Sequence, residues 1–370
     1  MPDRATTIVF AEDDNLFRLM EMALLRRATP QGEKTLAYFF GADFSAPLAA
    51  LMAQADRLGL PRGIETVVAT NEAELDAALP RADALVLERT PLDDARLAAL
   101  APRVKLIQQF GQDCRHIDLA AAKARKLPVA ELLRLSNLSC ADHLVALVLN
   151  LARSIVPAHQ AVRARRNASA GSAFPTDPPR NKFNWGEVSG IRVLAEHIIG
   201  FIGMGEIASL TALRLRAMGM RVLYYKRTRL SAEEELKLGG IEYAPREALL
   251  AESDFVSINV PYGPATEKMV DAAFLAAMKP GAYLINTARG GIVDECALDL
   301  ALRSGHLGGA ALDVYRYEPV PPDCPMLDLD NVLWTPHMSG GRPEFMIRES
   351  HDVLANIARA VRGDQLVGRR

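Results

Sequence analysis

Three short stretches near the C-terminal end carry side chains suited to proton transfer on a small anion. They are INTARGGIVDE with Arg289, ALDVYRYEP with Glu318, and LWTPHMSG with His337. A guanidinium can hold a carboxylate through two parallel hydrogen bonds. An imidazole can move a proton near neutral pH, and a neighbouring carboxylate orients it and stabilises its protonated form. We therefore predict Arg289, Glu318 and His337 as catalytic residues, with Arg289 also binding the substrate carboxylate.

A glycine-rich turn upstream of these stretches predicts a bound dinucleotide. FIGMGEIA places Gly203 and Gly205 between an apolar run and a helical pattern, and the apolar run RVLYY follows. In such a βαβ unit one glycine permits the turn, another lets the backbone approach a pyrophosphate, and the helix N-terminus binds phosphate. With a nicotinamide supplying hydride, the three catalytic side chains would interconvert a small 2-keto acid and its 2-hydroxy acid.

The residues predicted to bind the cofactor lie in this turn and at the ends of the following strands. They are Gly203, Met204, Gly205, Glu206, Ile207, Lys226, Arg227, Asn259, Pro261, Thr287, Ala288, Asp313 and Gly340.

The residues after RVLYY predict which dinucleotide is preferred. An NAD site usually has Asp or Glu there to bind the adenosine ribose, whereas this chain has Lys226 and Arg227, with Arg229 nearby. These cations would attract a 2′-phosphate. We expect NAD(P)(H) as cofactor, with NADP(H) favoured; the alternative is that these side chains are solvated surface charge.

Short apolar runs that alternate with helical patterns predict two α/β domains, each a doubly wound parallel sheet. The first series is TIVFAE, ETVVAT, ALVLER, KLIQQF and PVAEL, and the second is HIIGFIG, RVLYY, DFVSIN, AYLIN, GAALDV and NVLWT. We predict a flavodoxin-like substrate domain over residues 1–133, completed by 338–370, and a Rossmann cofactor domain over 134–337. Phe110, Gly111 and Gln112, in the loop after KLIQQF, are predicted to bind substrate together with Arg289.

Three segments between these runs also carry predictions. Residues 12–63 contain helical patterns and form an elaboration of the first βα unit. A long helix is expected from Ser139 to Arg153. The stretch from Ala158 to Gly190 is rich in Pro, Gly, Ser and Arg and has no apolar period, which predicts a connecting arm.

The composition excludes several classes of function. The 370 residues carry a formal net charge of -2, which gives no electrostatic case for binding nucleic acid or an anionic membrane. The N-terminus lacks a secretory pattern, and the longest apolar run, Leu144 to Ala152, is too short to span a bilayer. The four cysteines form no CxxC pair, and the histidines outside the catalytic set show no metal-ligand spacing. We expect a cytoplasmic protein without a metal.

Taken together, the motifs resemble those of the D-isomer-specific 2-hydroxyacid dehydrogenase family, which includes phosphoglycerate dehydrogenase and glyoxylate/hydroxypyruvate reductase. The matching runs are IGFIGMGEIA, SDFVSINVPYGPAT, MKPGAYLINTARGGIVDECAL, LDVYRYEP and TPHMSG. The resemblance implies a homodimer built through the cofactor domains, a substrate cleft between the two domains, and a D-2-hydroxy acid product. It also implies the Arg–Glu–His roles at Arg289, Glu318 and His337.

Several positions on the substrate side depart from the family pattern. Asp113 stands where the carboxylate-binding loop usually has its second glycine, and Gln109 replaces a basic residue that often precedes this loop. Asp142 replaces a Glu, Asn259 replaces a His, and Ser136-Asn137 replaces the usual Asn-Ala pair. The matching motifs therefore indicate the class of reaction more strongly than the substrate.

Two alternatives use the same fold. One is a formate- or phosphite-type dehydrogenase, for which no substrate-specific residue is recognisable. The other is a dinucleotide-sensing binding protein resembling the family's corepressors, which can retain the catalytic residues. Turnover of 2-keto acids separates an enzyme from a sensor.

Overall fold

The computed structural model describes residues 5–41, 43–100, 102–164 and 183–369, and the chain divides into two compact units. Unit 1 comprises Met1–Asn137 and Gly341–Arg370, and unit 2 comprises Leu138–Gly340. The sequence placed these boundaries after residues 133 and 337. The first boundary instead falls inside the first turn of a continuous helix, which no break in the apolar pattern marks.

The described residues form parallel strands and connecting helices, numbered here in chain order. The strands are β1 Thr7–Phe10, β2 Glu65–Val68, β3 Ala84–Leu87, β4 Leu106–Gln109, β5 Val129–Ala130, β6 Ile198–Ile202, β7 Arg221–Tyr225, β8 Glu242–Tyr243, β9 Phe255–Ile258, β10 Tyr283–Asn286, β11 Gly309–Leu312 and β12 Val332–Trp334. The helices are α1 Asn15–Leu25, α2 Pro30–Phe40, α3 Ser45–Arg57, α4 Glu72–Ala78, α5 Asp94–Ala99, α6 Leu119–Ala124, α7 Leu135–Arg153, α8 Ile155–Arg163, α9 Glu206–Ala217, α10 Ala232–Lys237, α11 Arg246–Glu252, α12 Ala272–Ala277, α13 Glu295–Arg303 and α14 Pro343–Arg362.

Unit 1 is a parallel sheet in the order β2-β1-β3-β4-β5, which is the flavodoxin-like order predicted from the sequence. The segment predicted as an elaboration of the first βα unit forms α1, α2 and α3. Asp14 caps α1 by accepting a hydrogen bond from the N–H of Leu16, and the apolar face of α1 packs on Phe10 through Phe17. The C-terminal helix α14 returns to this unit and buries Leu354 and Ile357 in the same core.

Unit 2 is a larger parallel sheet in the order β12-β11-β10-β9-β6-β7-β8. The order reverses between β6 and β9, which is the Rossmann arrangement, so the prediction of two doubly wound parallel sheets is confirmed. All residues of β9 and β11 are buried, as expected for strands covered on both faces. The sequence missed β8, because a two-residue strand at the edge of the sheet has no apolar run.

The helices between the two series of strands differ in part from the prediction. α7 begins at Leu135 rather than Ser139 and ends at Arg153, as predicted. The start of the predicted connecting arm was wrong: Ser154 adopts a left-handed conformation with φ 50°, and a new helix, α8, follows. Most of the remaining predicted arm, residues 165–182, lies outside the described residues.

By length and composition, α7 could cross a membrane, with a mean hydropathy of 1.3. However, 39% of that stretch is buried inside the protein, and Leu144, Val148 and Ala152 pack into the core of unit 2. Core helices of globular domains satisfy the same length and composition test.

Candidate active site

The predicted cofactor and catalytic residues all follow strands of the unit 2 sheet. Because these strands are parallel, their carboxyl ends lie at one edge of the sheet, where open α/β sheets bind ligands. The residues at this edge are Gly203–Ile207 after β6, Lys226 and Arg227 after β7, Asn259 and Pro261 after β9, Thr287–Arg289 after β10, Asp313 and Glu318 after β11, and His337 and Gly340 after β12.

The turn after β6 has room for a phosphate group beside its backbone. Gly203 has φ +97°, and a Cβ there would lie 2.2 Å from the carbonyl oxygen of Asn259, so only glycine fits. A Cβ on Gly205 would meet no atom within 4 Å, which leaves open space at the start of α9. That helix begins without a side-chain cap, so its first N–H groups face this space. These residues fit the pyrophosphate of a dinucleotide.

The basic side chains after β7 have different partners. Arg229 donates two hydrogen bonds to the carboxylate of Glu235, at 2.8 and 2.9 Å, so its guanidinium already has a partner within the protein. The hydroxyl of Tyr224 donates to the same carboxylate at 2.7 Å, and burial together with this contact raises the pKa of Tyr224 to about 12. Arg227 is exposed and Lys226 is partly buried. Contact of Lys226 and Arg227 with a ligand stays a prediction.

The structure brings Glu318 and His337 into direct contact. His337 Nδ1 lies 2.6 Å from Glu318 Oε2, and Glu318 Oε1 accepts a hydrogen bond from the backbone N–H of Tyr315 at 3.0 Å. The side chains of Glu318 and His337 are each about one third exposed. Because Nδ1 faces the carboxylate, Nε2 is the ring nitrogen left to exchange a proton with a ligand.

A buried carboxylate holds the loop that carries His337. Asp313 is fully buried, and it accepts hydrogen bonds from the backbone N–H groups of Met338 and Ser339, both at 3.0 Å, and from the hydroxyl of Thr335 at 2.6 Å. Burial alone would raise the pKa of Asp313, but the hydrogen bonds it accepts outweigh burial and hold that pKa well below its usual range. The predicted role of Asp313 in binding the cofactor stays a prediction.

Arg289 is exposed just beyond β10, and one of its N–H groups donates to the carbonyl oxygen of Ala288 at 2.6 Å. The next residue, Gly290, packs directly on the backbone of Tyr315 and Arg316. The loop carrying Arg289 therefore touches the segment that binds Glu318. Among the described residues, no hydrogen bond or ion pair joins the Arg289 guanidinium to Glu318 or His337.

A pocket of about 430 Å³ lies beside the carboxylate–imidazole pair. Its wall includes the rings of Tyr315 and Trp334, which stack with their centroids 5.5 Å apart. The remaining lining residues are Glu318, Pro319, Val320, Leu327, Thr335, Pro336 and His337. The pair thus adjoins a mostly apolar concavity within unit 2.

In unit 1, the predicted substrate-binding residues lie just beyond β4. Phe110 is only 1% exposed, and its ring packs on Phe17 and under the guanidinium of Arg134 at 4.2 Å. Gly111 is also buried, whereas Gln112 is partly exposed. Gln112 is therefore the member of this loop most open to a ligand, and substrate binding by the loop stays a prediction.

The positions that depart from the family pattern have partners within the protein. Asp113 forms a two-point ion pair with Arg115, so its charge is balanced locally. Gln109 is buried, and its amide donates to the carbonyl oxygen of Glu88 at 3.0 Å. Asn259 accepts a hydrogen bond from the hydroxyl of Ser257 at 2.7 Å. None of these three side chains is basic, so none of them replaces the basic residue that often precedes this loop in the family.

Sequence reasoning missed two contributors to the His337 loop. The hydroxyl of Thr335 lies between Asp313 and the imidazole of His143, and no role was assigned to either Thr335 or His143 from the sequence. A Thr two residues before the catalytic His was a usable signal, but His143 lies 192 residues before Thr335 in the chain.

Among the described residues, no group of His, Cys, Asp and Glu has the arrangement of a metal site.

The doubly wound sheet of unit 2, with its glycine turn and its strand-end acid–base pair, defines a dinucleotide-binding α/β protein. A family model described as the NAD-binding domain of D-isomer specific 2-hydroxyacid dehydrogenases matches residues 145–339. The chain belongs to the D-isomer-specific 2-hydroxyacid dehydrogenase family, as its motifs indicated, and its relatives support a nicotinamide dinucleotide as cofactor.

Named relatives cover most of the chain. It is 36% identical to a glyoxylate reductase of Korarchaeum cryptofilum over 76% of this chain and 80% of that protein. It is 34% identical to a D-3-phosphoglycerate dehydrogenase of Mycobacterium leprae over 80% of this chain, and it spans about half of that relative, 52%. A crystal structure of a Thermus thermophilus protein, TT0316, has a TM-score of 0.51 and 31% identity, covering 86% of this chain and 96% of that one.

Proposed function

We propose that the chain is an NAD(P)-dependent 2-hydroxyacid dehydrogenase that interconverts a small 2-keto acid and its D-2-hydroxy acid. The observation that carries this proposal is the 2.6 Å contact between Glu318 and His337 at the ligand-binding edge of the unit 2 sheet. A proton-transfer group held by a carboxylate, at the same sheet edge as a turn that fits a dinucleotide, is the arrangement that carbonyl reduction requires.

Three residues of unit 2 have separate roles in the reaction. When bound, the nicotinamide supplies the hydride for reduction and accepts it for oxidation. His337 donates a proton from Nε2 to the carbonyl oxygen during reduction and removes it from the hydroxyl during oxidation. Glu318 holds Nδ1, which fixes the ring and stabilises its protonated form. Arg289 binds the substrate carboxylate, for which its exposed guanidinium is suited.

The cofactor preference follows from the residues after β7. Lys226 and Arg227 stand where a ribose-binding carboxylate is usual, and Arg229 is already paired with Glu235. Attraction of these cations to a 2′-phosphate favours NADP(H) over NAD(H). With NADPH as donor, reduction is the working direction.

The substrate belongs to the class that the named relatives act on. Those relatives include glyoxylate reductases and D-3-phosphoglycerate dehydrogenases, and the chain spans 80% of the former but only about half of the latter. Glyoxylate, hydroxypyruvate and larger 2-keto acids are therefore the first compounds to test. We further propose that the protein is cytoplasmic, which suits four cysteines that form no disulfide, and that it is a homodimer, which light scattering would test.

Steady-state turnover of a panel of 2-keto acids with NADH and with NADPH tests the activity. We expect turnover with at least one keto acid, a lower KM for NADPH, and oxidation of the D but not the L hydroxy acid. His337→Asn should lower turnover about 100-fold or more, while His351→Asn, at a partly exposed position of α14, should leave it unchanged. Binding of both dinucleotides without turnover across the panel would contradict the proposal and favour a sensor.

A further inference from the structure

Three side chains of unit 2 form a hydrogen-bonded row behind the loop of His337. The hydroxyl of Thr335 donates to Asp313 Oδ1 at 2.6 Å, and His143 Nε2 lies 3.2 Å from the same hydroxyl oxygen. A hydroxyl has one proton to donate, and Thr335 gives it to the carboxylate. His143 must therefore carry its proton on Nε2 and donate it to Thr335. The row runs from the imidazole through the hydroxyl to the carboxylate, and His143 Nε2 also lies 3.5 Å from Asp313 Oδ1 itself.

This row fixes the backbone on both sides of His337. Thr335 precedes the catalytic residue, and Met338 and Ser339, whose N–H groups bind Asp313, follow it. His337 itself has φ +50°, a left-handed conformation that is uncommon for residues other than glycine and needs support from its surroundings. One buried carboxylate thus holds the chain before and after a residue with an unusual backbone conformation.

The Thr335 hydroxyl is the central member of the row because it links the other two side chains. Without it, Asp313 would lose its shortest hydrogen bond, and His143 Nε2 would keep only the more distant carboxylate oxygen, Asp313 Oδ1 at 3.5 Å. Buried polar groups left without partners are costly, so the loop would rearrange to find new ones. A rearrangement within two residues of His337 would move the ring against Glu318 and against the substrate.

We propose that Thr335 is a positioning residue for His337, with its hydroxyl held by His143 and its action transmitted through Asp313. The inference rests on the proposed proton transfer by His337. It adds two residues, Thr335 and His143, that set the geometry of proton transfer through Asp313 and the backbone of the loop.

A pair of substitutions at one position tests the proposal. Thr335→Val keeps the shape of the side chain and removes the hydroxyl, whereas Thr335→Ser keeps the hydroxyl and removes a methyl group. We expect kcat of the Val variant to fall about 100-fold, the loss typical of a displacement of about 1 Å at a reacting group. The Kd for NADPH and the KM for the keto acid should change little, and Thr335→Ser should recover most of the rate.

A spectroscopic measurement reports on the position of the His337 ring and does not require the enzyme to turn over substrate. In the full chain labelled with ¹⁵N-histidine, the proton on His337 Nδ1, shared with Glu318 at 2.6 Å, should give a downfield imidazole signal that His337→Asn removes. We expect Thr335→Val to broaden or shift this signal and Thr335→Ser to retain it. If the wild type turned over no keto acid, the proposed function would fail, while this signal would still test the positioning role.

Two results would overturn the inference. One is a folded Thr335→Val variant with the wild-type imidazole signal and, where the wild type is active, a kcat within about twofold of it. If Thr335→Val does not fold, His143→Phe and His143→Gln test the row from its other end, because Gln keeps an N–H donor and Phe does not. A wild-type signal and rate in His143→Phe would then be the second contradicting result.

Discussion

Gly290→Ala should damage the site without altering any catalytic side chain. A Cβ at residue 290 would lie 1.9 Å from the carbonyl carbon of Tyr315 and 2.4 Å from the backbone nitrogen of Arg316. Ordinary contact for such an atom begins at 3.4 Å, so backbone would have to move by about 1.5 Å. The groups that separate are the loop carrying Arg289 and the segment whose N–H binds Glu318.

The expected size of the effect follows from that displacement. Overpacking against backbone costs about 1–3 kcal/mol of unfolding free energy. A shift of about 1 Å between the group that binds the carboxylate and the group that moves the proton costs about 100-fold in kcat. Both quantities can be measured on one preparation, by denaturant unfolding and by steady-state reduction of the best keto acid.

The neighbouring glycine supplies a matched control. A Cβ on Gly291 would lie 2.7 Å from a ring carbon of Tyr262, but that ring is 51% exposed and can turn away. Gly291→Ala should therefore lose little stability or activity. Equal turnover in Gly290→Ala and Gly291→Ala would refute the argument that the Arg289 loop is set by its contact with Tyr315.

Three further predictions concern the cofactor site and the loop of His337. Arg227→Glu should raise the KM for NADPH about tenfold or more and leave the KM for NADH within a few-fold. The control Arg246→Glu, at another exposed Arg, should change neither KM. An unchanged ratio of the two KM values in Arg227→Glu would show that Arg227 does not contact the cofactor. Gly203→Ala should abolish dinucleotide binding in calorimetry, because the methyl would strike backbone at 2.2 Å; retained binding would contradict the assigned turn. Asp313→Asn should lower the unfolding free energy at pH 7 by about 1–3 kcal/mol. Because folding lowers the pKa of Asp313, its stabilisation exists above the ordinary value of 3.8 and declines as pH falls through the folded value, so the difference from wild type should shrink below about pH 5. A difference that did not change with pH would show that the charge of Asp313 is not what matters.

The strands and the glycine turn could be predicted because their signals are local. The apolar runs of β9 and β11 are buried at every residue, and the spacing of the glycine turn is visible within a few residues, although the close contact that requires Gly203 is with Asn259 after β9. The prediction failed where the signal was weak or non-local. β8 has two residues at a sheet edge, and the break between α7 and α8 depends on a left-handed Ser154 that no sequence pattern marks.

The site shows the same division between local and long-range information. Glu318 and His337 could be paired from the sequence because they follow neighbouring strands, β11 and β12. The role of Arg229 could not, because its partner Glu235 lies on the next helix, and a basic residue near a strand end looks the same whether it binds a ligand or the protein. The bond between His143 and Thr335 joins residues 192 positions apart. Such contacts are decided by packing rather than by spacing.

A single-turnover measurement of hydride transfer in wild type and His337→Asn tests proton donation by His337 most directly. The enzyme, saturated with NADPH, is mixed with its best 2-keto acid, and the loss of nicotinamide absorbance is followed. We predict that His337→Asn binds NADPH as the wild type does but transfers hydride about 100- to 10,000-fold more slowly, as expected for loss of a general acid. Transfer in the variant at a rate within about fivefold of wild type would show that His337 does not supply the proton and would contradict the account.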